Sequence, residues 1–63
     1  MSSTVQAELG AAADAIGRYR SRVSGLIDTL GPNTEDLATT MYEAERALLS
    51  AERLLIRAEK LAR

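Results

Sequence analysis

The sequence predicts an all-α fold: an antiparallel helical hairpin of two long, heptad-patterned helices, expected to associate into a homodimeric four-helix bundle. Three observations predict it. Ala, Leu, Glu and Arg are abundant, and the only aromatics are two Tyr, a composition that favours helix. Apolar residues recur at alternating spacings of four and three through two separate stretches, the rhythm of helices that keep one side toward a neighbour. Between the stretches lies one break, Gly31-Pro32-Asn33-Thr34, and so short a link sends the second helix back along the first. The chain therefore reads as one domain over 1–63, with helices at about 4–30 and 34–62 and a turn at 31–34.

Ser3 suits the N-cap of the first helix, and Gln6 completes a capping box. Leu9, Ile16, Val23 and Leu30 are its heptad a positions; Val5, Ala12, Tyr19 and Leu26 are d. Gly31 fits the left-handed position that ends a helix, and Pro32 cannot continue one.

Asn33 or Thr34 is expected to cap the second helix, with Glu35 and Asp36 at the positive end of its macrodipole and Arg57, Lys60 and Arg63 at the negative end. From Ala44 to Arg63 the chain repeats a seven-residue block that begins Ala, Glu, base. Met41, Leu48, Leu55 and Ala62 are a; Leu37, Ala44, Ala51 and Ala58 are d. An antiparallel alignment about the turn pairs Val5 with Ala62, Leu9 with Ala58, Ala12 with Leu55, Ile16 with Ala51, and Val23 with Ala44. Each of these layers sets a larger side chain against an alanine, which lets two helices approach without leaving holes.

The a and d seam leaves apolar side chains over. On the second helix Tyr42, Leu49 and Ile56 line b, while Ala47, Leu54 and Leu61 line g. On the first, Gly10, Gly17 and Ser24 recur at b. Two glycines at heptad spacing inside a helix cost about 1 kcal/mol each relative to alanine, so a close approach is expected there. Tyr42, Leu49, Ile56, Leu54 and Leu61 are the candidate partner-binding anchors, and Gly10, Gly17 and Ser24 the surface that receives them. Glu45, Glu52 and Glu59 fill e and would press on the interior unless Arg20 or a partner's base meets them. The g side, with Leu54, Leu61, Ala47, Ala15 and Ala11 but also Glu8 and Arg22, is the rival interface. Both flanks stay open at this point.

Sixty-three residues bury little surface, and folds of this size lean on a disulfide, a metal or another subunit. The chain has no Cys and no His, which leaves subunits. No base is present to activate a Ser, Thr or Tyr nucleophile, and no phosphate-binding loop is found; no catalytic residue, cofactor or metal is expected. Nine acids against eight bases give a net charge of −1, no field for nucleic acid or membrane. Arg46, Arg53 and Lys60 form a row on f, but glutamates interrupt it, as on an ordinary solvated face.

The N-terminal Met1-Ser2-Ser3-Thr4 lacks a signal-peptide pattern, and the longest aliphatic run is Leu54-Leu55-Ile56; a cytoplasmic protein is expected. In size and architecture the chain is similar to the plasmid copy-control hairpins, which dimerise into four-helix bundles and bind paired RNA loops. That likeness is of fold, since a chain without Phe cannot present such an aromatic at a binding face. It also looks like the small secreted hairpins with a Trp-x-Gly turn, but here the turn is Leu30-Gly31-Pro32-Asn33 and Trp is absent.

The functional expectation is a non-catalytic protein–protein interaction and oligomerisation module. Two alternatives accompany it: a small accessory subunit docking on a larger hetero-partner, and an RNA-binding regulatory hairpin.

Overall fold

A computed structural model describes residues 3–63, which form two helices, α1 (Ser3–Ile27) and α2 (Glu35–Leu61), packed against each other as a hairpin. No strand occurs among the described residues. Met1 and Ser2 lie outside them. Ser3 is the first residue of α1 rather than its cap, a shift within the usual spread of helix boundaries.

α1 ends three residues earlier than its apolar rhythm, at Ile27 instead of Leu30. The last turn tightens: the Thr29 and Leu30 amides donate to the Leu26 and Ile27 carbonyls at 3.0 and 3.2 Å. The Thr29 hydroxyl also donates to the Leu26 carbonyl, at 2.7 Å. No base stands in that turn, and Asp28 follows it directly, where the negative end of the macrodipole disfavours an acid.

The turn uses its residues differently from the expectation. Gly31 does not take the left-handed conformation; Asn33 does, at φ 62°, and Asn is among the few side chains that tolerate it. Thr34 stands at the N-cap of α2, but its hydroxyl makes no cap bond. It donates instead to the Gly31 carbonyl at 2.7 Å, which ties the turn together. Glu35 and Asp36 lie in the first turn of α2 and Lys60 in its last, each with the sign the macrodipole favours.

The packing is thin. Only Ala13 and Ile27, at 4% and 8% exposure, are buried among the described residues. The hairpin measures 52 × 14 × 10 Å with a radius of gyration of 14.8 Å, where a compact chain of this length has about 11 Å.

Candidate functional site

The two helices meet along a line different from the one their heptads predict. Ala13 and Ile27 are e positions; most of the half-buried residues of α1 lie at a and b (Leu9, Ile16 and Val23 with Gly10, Gly17 and Ser24) or at e (Gln6 and Arg20), while Ala12 at d and Ala15 at g are half-buried too. The centre of contact on α1 has turned from the a/d midline to e, roughly 70° at 100° per residue. On α2 the half-buried line runs through a and e, with Ala51 and Ala58 at its margin.

The cause is visible on this e side, the closed flank. Arg20 Nε donates to Glu52 Oε1 at 2.9 Å. Their side chains are 32% and 21% exposed, so most of both stems is withdrawn from water. Gly17 lies directly beneath: a Cβ there would stand 2.7 Å from Glu52 Oε2. One heptad along, a Cβ on Gly10 would stand 3.1 Å from Glu59 Oε2. The close approach expected at these glycines is thus made within the chain, by the glutamates of α2. Ser24 and Glu45, both half-buried, continue the row toward the turn.

These contacts also report the axial match. The expected alignment sets Gly17 level with Ser50 and Gly10 level with Arg57; in each case the glutamate two residues further on touches the glycine. Helical side chains lean toward the N-terminus of their own helix, so glutamates rooted there reach back to about the expected level. Ile16 and Ala51, chain neighbours of Gly17 and Glu52, are both half-buried at that level.

Turning e inward turns d outward. Val5, Tyr19 and Leu26 on α1 and Leu37 on α2, which the heptad places inside the seam, are each about half exposed. Beside them on g lie Leu54 and Leu61, the most exposed large apolar residues at 66% and 76%. Ala47 is exposed and Ala15 half-buried on the same flank, and the Arg22 guanidinium lies over the Tyr19 ring at 5.5 Å. On this open flank stand six of the eight large apolar residues exposed among the described residues. The d residues were not legible as part of it, because an unbroken heptad reads as a core stripe whichever neighbour it faces.

The candidate anchors therefore separate. Leu54 and Leu61 belong to the open flank. Tyr42, Leu49 and Ile56 lie on the other side, where Leu49 is half-buried. There a shallow groove of about 370 Å³ is lined by Arg20, Tyr42, Glu45, Arg46 and Leu49. Its mixed charges and the commitment of Arg20 to Glu52 give it no single ligand chemistry. Among the described residues no group of three acids, His or Cys is placed to hold a metal ion, and no helix is long and apolar enough to cross a membrane.

No family model, curated protein or solved structure matches the chain.

Proposed function

We propose that the chain is a non-catalytic interaction module that self-associates through its open flank into a homodimeric four-helix bundle. One observation carries this: the direction in which each helix aims its heptad stripe. In a four-helix bundle a helix points a and d at the common axis and touches its neighbours through flanking positions, so axis and neighbour lie about an eighth of a turn apart around it. Here α1 and α2 touch through e, with the large d residues turned out of their seam. A chain that forms half of a bundle would have this disposition, which supports the reading.

The surface area supports the same reading. The chain exposes 4790 Å², against about 4,000 Å² for a compact monomer of 6.8 kDa. The excess, about 800 Å², is what one partner contributes to an interface of standard size. Full burial of an exposed Leu stabilises by roughly 1.5–3 kcal/mol, and Leu54 and Leu61, at 66% and 76% exposure, have most of that to gain. The module is proposed to work in the cytoplasm, where a fold that needs no disulfide loses nothing.

Sedimentation equilibrium tests the proposal. The parent is expected to show twice the 6.8 kDa mass, with a melting temperature that rises with concentration. Leu54→Glu is expected to sediment as a monomer, and Tyr42→Glu, on the closed side, to remain a dimer. A parent that is monomeric at every concentration would overturn self-association and leave the open flank to a hetero-partner. Equal loss in both variants would overturn the assignment of the flank.

A further inference from the structure

Resting on that reading, we infer that the second copy docks antiparallel, with α1 against the partner's α1, α2 against the partner's α2, and the two turns at opposite ends. The partner is a second copy of this chain because the open flank is complementary to itself in both charge and size under one two-fold rotation.

The charges on this flank of α1 are Glu8 and Arg22, both exposed. They stand seven residues to either side of Ala15. In antiparallel neighbours g meets g, so a two-fold axis at Ala15 brings Glu8 to the partner's Arg22 and Arg22 to the partner's Glu8. The same rotation seats Tyr19 on the partner's Ala12 and Leu26 beside the partner's Val5. Arg22, exposed and lying over the Tyr19 ring, stands at the same edge.

On α2 the rotation about Ala51 gives a second, independent match. Leu54 falls on the partner's Ala47, and Leu61 on the partner's Thr40. Ala44, Ala51 and Ala58 face their counterparts, and small residues there permit the close approach. The two centres, Ala15 and Ala51, must lie at one height for a single axis to serve both. Gly17 against Glu52 sets Ala15 against Leu54, so the two centres stand within three residues, ~4.5 Å, and the backward lean of the Glu52 side chain narrows this. The rival rotation, about the long axis of the hairpin, sets Glu8 near the partner's Leu61 and Arg22 near the partner's Ala47, so that neither charge is met.

Two measurements test the arrangement. In Glu8→Arg and in Arg22→Glu, each homodimer faces like charges at both crossings, and each is expected to dissociate about tenfold more readily than the parent at low salt. An equimolar mixture restores every crossing to opposite charge, so heterodimer is expected to exceed its statistical share and to recover the parent affinity. The preference should fade in high salt. Separately, spin labels on Glu35→Cys, in a chain otherwise free of Cys, are expected at a separation approaching the 52 Å length of the hairpin.

A dimer whose labels lie within the 14 Å width of one hairpin, or whose charge variants show no preference for each other, overturns the antiparallel arrangement while self-association stands. A parent chain that does not dimerise overturns both.

Discussion

The two flanks of the hairpin are drawn from equally regular heptads and end in opposite conditions. On the closed flank, charged side chains are partly withdrawn from water: Arg20 meets Glu52, and the carboxylates of Glu52 and Glu59 lie over Gly17 and Gly10. On the open flank, Tyr19, Leu26, Leu37, Leu54 and Leu61 stand in solvent. A hairpin folding for its own sake would do the reverse, because burying Leu gains free energy whereas withdrawing a charge costs it. The difference teaches that the inner seam follows the Arg20–Glu52 and glycine–glutamate contacts and not the widest apolar arc, much of which is left exposed.

The open flank should be the more sensitive of the two. Leu26→Glu, far from Leu54 but on the same flank, is expected to raise the dimer dissociation constant at least 100-fold, about 2.7 kcal/mol, because two charges enter each interface. Sedimentation equilibrium measures this, and an unchanged constant would break the contrast between flanks. Next comes the closed flank. Arg20→Ala leaves Glu52 without its partner in the seam, at an expected cost of roughly 1–3 kcal/mol in urea unfolding. That loss should persist with the dimer constant per folded hairpin little altered.

The glycines of α1 sharpen the picture further, since they differ in what stands above them. Gly17→Ala puts a Cβ 2.7 Å from a carboxylate whose other oxygen Arg20 holds. A net cost of about 1 kcal/mol is expected after the gain in helix propensity. Gly25 has nothing within 4 Å, so Gly25→Ala should stabilise by about 0.5–1 kcal/mol. Gly10→Ala meets only the far end of Glu59, at 3.1 Å, and among the described residues Arg20 bonds Glu52, not Glu59. It should fall within about 0.5 kcal/mol of the parent. Thermal melts of the three variants at one concentration give the order; if Gly17→Ala is the most stable, the Glu52 contact does not shape the seam.

Much of the fold was legible in the sequence, and the site only in part. The two helices, the break before Thr34 and the antiparallel course follow from spacing and from Pro32, since local propensity and chain connectivity suffice for them; the end of α1 at Ile27 does not. The need of Glu52 for a base, with Arg20 as the candidate, was legible too, because both fall on e. Leu54 and Leu61 were visible as surplus apolar residues. The exposure of Val5, Tyr19, Leu26 and Leu37 was not, and neither was the use of Gly10 and Gly17 by glutamates of the same chain.

By itself, then, the sequence determined which residues form each stripe and that the helices run antiparallel; Gly17 and Gly10 meet α2 two residues from the expected partners. Tertiary structure alone decided how far each helix is rotated about its own axis. A seven-residue repeat specifies a stripe but not the bearing of the neighbour that will cover it, and an apolar arc wider than one seam allows several bearings. Where the rods come together, an oxygen 2.7 Å from the place a Gly17 Cβ would occupy and a 2.9 Å bond from Arg20 to Glu52 select one of them. The remainder of the arc is left facing outward.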